Sequence, residues 1–174
     1  MPVYLKDVNE FSKLEGVGSV LIIPCRFCPA ASMAVRRGEP YFSFFRRFLK
    51  TASYEELIAS MKSSMEKMGI KTEVFRSNWL HQFVLCMWTT RRRKHLARYA
   101  ANFEALVVLG CEAAVDTVYD SVNTDTSKVY MGMRSEGIMS VVPRVNLPAQ
   151  LSLELKRVTP LVHEAGDTVG WGKL

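Results

Sequence analysis

Several short apolar segments have the pattern of strands that are buried on both faces. Continuous apolar runs of strand length occupy Ser19–Pro24, Phe83–Trp88 and Ala105–Leu109, and Ile70–Arg76 alternates between apolar and polar positions. Such continuous runs are typical of parallel sheets, because helices cover both faces of these sheets. The pattern therefore predicts a central sheet made from these segments.

Helical patterns occupy the segments between the predicted strands. Apolar residues recur at helical spacing from Tyr54 to Met68, between a capping box at Ser53–Glu56 and a terminating Gly69. Strands that alternate with helices predict parallel pairing through right-handed crossovers. Shorter helices are predicted at Ala30–Arg37, from Thr89 or Thr90 to Phe103, and from Glu112 to about Val122.

The period of the pattern changes after Asn123. Strand character returns at Val129–Met133, Gly137–Val145 and Gln150–Val158, which predicts an antiparallel extension at an edge of the sheet. The predicted fold class is α/β, a flavodoxin-like open parallel sheet flanked by helices with a C-terminal antiparallel β extension. Residues 1–123 would form the core that carries a thiol or metal site, and residues 124–174 the extension and a loosely ordered tail of the same domain.

Composition makes disulfide stapling unnecessary. The chain has 174 residues, of which 48% are hydrophobic and 23% charged, so one domain of ordinary globular composition is expected. The sequence shows neither a membrane-spanning apolar stretch nor a signal-peptide layout, so we expect a cytoplasmic protein. In that compartment, four cysteines indicate thiol, redox or metal chemistry.

The cysteines follow predicted strands. Cys25 and Cys28 come directly after Ser19–Pro24, and Cys111 comes directly after Ala105–Leu109. Because ligands of open parallel sheets gather at the carboxyl ends of the strands, we expect these three sulfurs to converge. Cys86 lies inside its apolar run, where it is either a fourth member or a buried core thiol.

Three functions fit this cluster. In the first, Cys25, Cys28 and Cys111, with Cys86 as a candidate fourth ligand, hold an iron–sulfur cluster or zinc in an electron-transfer module. In the second, Cys25 has a lowered pKa at a helix start and attacks a disulfide, and Cys28 or Cys111 resolves the intermediate. In the third, the crevice of an accessory protein binds a flavin or a corrinoid.

Two segments resemble a known family. Val20–Met33 (VLIIPCRFCPAASM) and Leu106–Asp116 (LVVLGCEAAVD) are similar to the small iron–sulfur delta subunit of methyl-viologen-reducing hydrogenases, which passes electrons to heterodisulfide reductase. The resemblance implies that Cys25, Cys28 and Cys111 correspond to cluster ligands. The strand that ends near Arg76 lacks the cysteine of that family, and no Cys-His pair follows Cys111, so a complete set would need Cys86.

The charge indicates the kind of partner. A net charge of +6 and a pI of about 9.3 fit nucleic acid, an anionic lipid, a phosphorylated cofactor or an acidic protein, and the electron-transfer function makes an acidic redox protein the expected partner. Nucleic acid is not favoured, because no aromatic residues are interleaved with the basic run Arg91–Lys94. The aromatic block Tyr41–Phe48 is interpreted as sheet-covering, with a lid over the thiols, a homodimer interface or a membrane-surface contact as alternatives. Gly16-x-Gly18 precedes its strand, so it is not a dinucleotide-binding fingerprint.

Overall fold

The computed structural model describes residues 2–7, 14–43, 50–76, 84–146 and 150–161, which form two sheets and the helices around them. The strands are β1 (Val3–Asp7), β2 (Ser19–Pro24), β3 (Phe42–Ser43), β4 (Lys71–Val74), β5 (Ala105–Leu109), β6 (Lys128–Met131), β7 (Met133–Asn146) and β8 (Gln150–Pro160). The helices are α1 (Cys28–Arg37), α2 (Ala52–Lys67), α3 (Thr90–Ala100) and α4 (Glu112–Tyr119).

The parallel sheet has the order β4-β2-β5-β6. Every residue of β5 is buried, and only the first residue of β2 is partly exposed, as their continuous apolar runs predict. The alternating segment β4 is at the edge of the sheet, where one side remains open. When the strands of this sheet are numbered in chain order, the strand order is 2-1-3-4, as in flavodoxin-like sheets. The predicted fold class is therefore confirmed.

The antiparallel sheet has the order β1-β7-β8-β3. β7 and β8 form a long hairpin whose register runs from Gly137 opposite Pro160 to Asn146 opposite Gln150. The first half of β7 alternates between buried and more exposed residues, because one face packs on the core. α1 contacts β1 and β8, so it packs on the antiparallel sheet.

Helix positions agree with the apolar pattern, but their ends differ in detail. α1 ends at Gly38, whose φ of 64° allows its N–H to bond the carbonyl groups of Ala34 and Val35. The capping box predicted at Ser53–Glu56 is wrong, because the helix begins earlier, with Thr51 as its N-cap. The Thr51 hydroxyl donates instead to the Tyr41 carbonyl at 2.6 Å, so the start of α2 is tied to the preceding loop.

Two predicted strands need correction. In the run Phe83–Trp88, Leu85–Met87 form a 3₁₀ turn in which Leu85 is buried and Met87 is 78% exposed; Phe83 lies outside the described residues. The segment at Val129 is β6, which pairs parallel to β5 with Val129 opposite Leu106. The α4 crossover returns the chain in the direction of β5, so this strand extends the parallel sheet rather than an antiparallel one.

Each sheet contains strands from both predicted parts of the chain, residues 1–123 and residues 124–174. β6 lies beyond residue 123 but belongs to the parallel sheet, whereas β1 and β3 come from the first part and join the antiparallel sheet. The tail from Gly166 to Leu174 and most of the aromatic block lie outside the described residues. Among the helices that the structure describes, none combines the length and apolar character required to cross a membrane.

Candidate thiol site

The loop that carries Cys25 and the loop that carries Cys111 meet where β2 and β5 end. Pro24 is opposite Leu109 in the parallel register, and the Cys25 N–H donates to the Leu109 carbonyl at 2.9 Å. β4, the next strand of this sheet in the chain, lies on one side of β2, and β5 lies on the other side. The strand order therefore reverses at the ends of β2 and β5. Crevices at such positions are the usual ligand sites of open parallel sheets.

Cys28 is held at the start of α1 by contacts to β1. The Ser32 hydroxyl, one turn further along α1, lies 2.9 Å from the Cys28 carbonyl and donates to it. The Ser32 hydroxyl oxygen also accepts a hydrogen bond from the Leu5 N–H at 2.9 Å. Ser32 is fully buried, so this bridge fixes the first turn of α1 against β1 and sets the position of the Cys28 sulfur.

Cys28 and Cys111 form a hydrogen-bonded sulfur pair. Cys111 is the N-cap residue of α4, and its sulfur accepts a hydrogen bond from the Cys28 thiol. This hydrogen bond lowers the pKa of Cys111 to about 6, with smaller contributions from the backbone N–H groups of Ala114 and Ala113. The same bond and burial raise the pKa of Cys28. One proton is therefore shared unequally between two neighbouring sulfurs.

The negative charge of this pair belongs on Cys111. An N-cap side chain faces the unpaired N–H groups and the positive end of its helix, which stabilises a thiolate there. Cys28 instead occupies the first helical position of α1 and is followed by Pro29, which has no N–H to offer. The surroundings thus favour a Cys111 thiolate that accepts a hydrogen bond from a Cys28 thiol over the reverse arrangement.

Cys25 does not have the environment predicted for a nucleophile. Its side chain is only 3% exposed, and burial raises its pKa to about 11 despite backbone hydrogen bonds from Leu85 and Phe27. The predicted lowering of the Cys25 pKa at a helix start is therefore wrong, because α1 begins at Cys28 and leaves Cys25 in the apolar crevice. The thiol with the lowered pKa is that of Cys111, on the loop that follows β5.

Cys86 lies on the surface beside this crevice. It belongs to the 3₁₀ turn Leu85–Met87 and is exposed, so its interpretation as a buried core thiol is wrong. The turn packs on α4, and Cys86 interacts electrostatically with Cys111. Burial is the main cause that raises its pKa. Cys86 is thus a protonated thiol near the Cys28–Cys111 pair.

Two tyrosines lie beside the cysteines; Tyr54 was not recognised from the sequence as a site residue, whereas Tyr41 belongs to the aromatic block for which a lid over the thiols was one alternative. The fully buried Tyr54 of α2 donates from its hydroxyl to the Leu109 carbonyl at 3.2 Å, next to Cys25. Tyr41 donates to the Phe27 carbonyl at 3.3 Å, and its raised pKa reflects burial and the neighbouring Cys28 and Cys25. Their positions depend on loop and helix packing, for which the local sequence contains no signal.

The structure brings the sulfurs together without arranging them as a metal site. Within the described ranges, no three His, Cys, Asp or Glu side chains are placed to hold one metal ion. An iron–sulfur cluster or zinc on Cys25, Cys28, Cys86 and Cys111 therefore stays a prediction. Comparison with protein families, with curated proteins and with solved structures gives no match for this chain.

Removal of the Cys28 thiol is expected to raise the pKa of Cys111. The wild-type rate of Cys111 alkylation by iodoacetamide should fall as the pH is lowered through about 6, because the thiolate is then protonated. In Cys28→Ala the thiolate loses its main donor, so the midpoint should rise by about one pH unit or more. Mass spectrometry of the Cys111 peptide measures both profiles. An unchanged midpoint in Cys28→Ala, with Cys86→Ala as the control, would contradict the hydrogen bond.

Proposed function

We propose that Cys28 and Cys111 form a redox-active dithiol that exchanges with disulfide substrates. The observation that supports the proposal is the direct contact between a thiol and the N-cap sulfur of α4 at the carboxyl edge of a parallel sheet. A thiolate is the form that attacks disulfides, and a second thiol within reach releases the product. This proposal keeps the dithiol chemistry predicted for Cys25 and Cys28 but transfers the attack to Cys111.

The first step forms a mixed disulfide. The Cys111 thiolate attacks one sulfur of a substrate R–S–S–R′, forms a Cys111–S–S–R bond and releases R′–S⁻. The Cys28 thiol is the neighbouring acid, so its proton passes to R′–S⁻ directly or through solvent, giving R′–SH. The Cys28 thiolate formed in this way is the nucleophile for the second step.

The second step closes the protein disulfide. The Cys28 thiolate attacks the Cys111 sulfur, breaks the Cys111–S–S–R bond and releases R–S⁻, which takes a proton from solvent. The substrate gains two electrons and two protons, and the protein is left with a Cys28–Cys111 disulfide. A dithiol partner restores the protein by the reverse exchange.

The predicted location and partner, and the other two cysteines, are compatible with this chemistry. A free dithiol persists in the reducing cytoplasm, which is the location predicted from the sequence. The positive net charge supports an acidic protein as the regenerating partner. In this scheme Cys25 is a buried neighbour that shapes the crevice, and Cys86 is a peripheral thiol outside the exchange. A homodimer is compatible with this scheme but is not needed for it.

Mild oxidation is the test of this proposal. Reduced protein titrated with a glutathione redox buffer should form one intramolecular disulfide, and peptide mapping should assign it to Cys28 and Cys111. Cys25→Ser and Cys86→Ser should form the same bond, because neither residue takes part. A bond between Cys25 and Cys28, or no intramolecular bond, would refute the proposal. Stoichiometric iron or zinc that is lost in Cys111→Ser would instead support the metal site.

A further inference from the structure

A group of positive side chains lies beside the thiol pair at the same edge of the sheet. The Arg26 guanidinium forms an ion pair with Glu55 in the first turns of α2, and its second nitrogen is 3.3 Å from the other Glu55 oxygen. The Lys50 ammonium approaches the same carboxylate at 4.0 Å. Glu55 therefore gathers two cations next to the loop that carries Cys25 and Cys28.

Arg76 is the third member of this group, which we call the rim cations (Arg26, Lys50 and Arg76). The Phe75 N–H donates to the Ile22 carbonyl at 2.8 Å, so the parallel pairing of β4 with β2 continues past Val74. In this register Arg76 comes beside Pro24. Among the described residues, Arg76 has no carboxylate partner and is exposed.

The order of the strands places the rim cations and the thiol pair along one line. Arg76 follows β4, Cys25 and Arg26 follow β2, and Cys111 follows β5, which are consecutive strands of the sheet. Neighbouring strands are about 4.8 Å apart, so the loops of Arg76 and Cys111 are roughly 10 Å apart. A short molecule held by the rim cations would therefore reach the Cys111 sulfur.

The charges of this group are not balanced internally. The pKa of Lys50 is lowered first by burial and then by the positive charges of Arg26 and Arg76. The pKa of Arg26 is also lowered, by burial and by Arg76 among its other neighbours. Glu55 contacts Arg26 and Lys50, and Arg76 adds a third positive charge close to both, so an anion bound among the rim cations would relieve their mutual repulsion.

Arg76 also borders a cavity along the outer side of β4. The cavity has a volume of about 340 Å³, and Lys62 of α2 and His95 of α3 line it as well. Glu73 lines it too and accepts a hydrogen bond from the Tyr99 hydroxyl at 2.6 Å, while Lys62 pairs with Glu66 at 3.5 Å. Arg76 is therefore the cation that extends the charge of the rim toward this cavity.

We propose that the rim cations bind an anionic group of the substrate, so that the thiol pair acts on small disulfides that carry a carboxylate or a similar anion close to the sulfur. This inference rests on the proposed function, because it names the substrate class of the same site. The exchange itself is unchanged: Cys111 attacks the substrate sulfur, Cys28 closes the protein disulfide, and the substrate leaves as two thiols. The cations orient the disulfide and raise its local concentration.

Matched disulfides of different charge test this inference. The full-length protein is reduced, freed of reductant and mixed with dithiodipropionate, bis(hydroxyethyl) disulfide or cystamine, which are short disulfides with anionic, neutral and cationic ends. Rates are read from single-turnover formation of the protein disulfide. The double variant Lys50→Gln/Arg76→Gln removes the two exposed cations. Lys128→Gln is the control, since it removes one exposed lysine at the opposite end of the sheet, where β6 begins.

The wild-type protein should react with the anionic disulfide about tenfold faster than with the neutral one, and more slowly still with the cationic one. The preference should shrink as salt is added, because salt screens exposed charges. The double variant should lose most of the preference for the anionic over the neutral disulfide, and Lys128→Gln should show the same preference as wild type.

Two results would overturn the inference in distinguishable ways. Equal rates with all three disulfides in the wild-type protein, or an equal loss with all three in the double variant, would refute the anion site and leave the dithiol chemistry intact. Failure of the wild-type protein to react with any of them would refute the proposed function, and the substrate class with it.

Discussion

Replacement of Cys111 by serine is expected to abolish thiol–disulfide exchange. A serine hydroxyl is not ionised at neutral pH, whereas the N-cap position and the Cys28 hydrogen bond keep the Cys111 sulfur as a thiolate. Loss of the attacking group should reduce the single-turnover rate with bis(hydroxyethyl) disulfide by about 10³-fold or more. The rate is measured as thiol released by pre-reduced protein at pH 7.5, a value chosen above the Cys111 pKa.

The other cysteines serve as controls with distinct expected results. Cys28→Ser keeps the nucleophile but lacks the resolving thiol, so it should accumulate a mixed disulfide on Cys111 that mass spectrometry detects. Cys25→Ser and Cys86→Ser should remain within about threefold of wild type, since exchange proceeds between the other two sulfurs. Full activity in Cys111→Ser, with loss of activity in Cys25→Ser, would restore Cys25 as the nucleophile and refute our assignment.

The convergence of the thiols could be predicted because it follows from strand direction alone. Ser19–Pro24 and Ala105–Leu109 are recognisable as buried strands, and parallel pairing brings the loops that follow them to one edge. No knowledge of side-chain packing is needed for this inference. The same reasoning identifies the fold class and the approximate ends of α2, whose apolar spacing is the longest in the chain.

The chemical roles of the cysteines could not be predicted, because they depend on where each helix starts. The sequence C-R-F-C allows α1 to start beside either sulfur, and only the fold shows that it starts at Cys28 and leaves Cys25 in the crevice. The strand predicted around Cys86 failed for a related reason. Leu85 and Trp88 are buried whereas Cys86 and Met87 between them are exposed, and a short continuous apolar run does not distinguish this 3₁₀ turn from a strand.

The rim cations were missed because their contacts are distant in the chain. Arg26, Lys50 and Arg76 lie in three different loops, and Glu55 links the first two only after α2 packs at the carboxyl edge of the sheet. β1 was missed as well, since its short segment has little strand signal of its own and is specified by pairing with β7. Elements of this kind are stabilised by partners rather than by local propensity.

Gly110→Ala is expected to cause a large loss of stability that also disturbs the thiol pair. A Cβ atom at Gly110 would lie 2.6 Å from the Ala114 Cβ and 3.4 Å from the Cys25 Cβ. The Ala114 Cβ is attached directly to the first turns of α4, so the clash can be relieved only if the helix moves. Such overpacking typically costs about 1–3 kcal/mol of the free energy of unfolding, and urea denaturation measures the loss.

A second substitution separates this steric cause from a general effect of alanine. Ala114→Gly removes the clashing Cβ and alone should cost about 1 kcal/mol through helix propensity. If the close contact is responsible, Gly110→Ala/Ala114→Gly should be more stable than the sum of the two single effects, with a coupling of about 1 kcal/mol or more. Gly18→Ala is the control, because its Cβ would meet only the end of the Glu104 side chain, at 3.1 Å, and no backbone or helix atom.

The same variants connect stability to chemistry. Movement of α4 in Gly110→Ala shifts the N-cap sulfur of Cys111 relative to Cys28, so the alkylation midpoint of Cys111 should rise together with the loss of stability. The double variant should recover the alkylation midpoint and the part of the stability that the clash removed, because the helix can return to its place against Cys25. Additive losses in the double variant, with an unchanged alkylation midpoint throughout, would show that the close packing of Gly110 and Ala114 does not position the thiol pair.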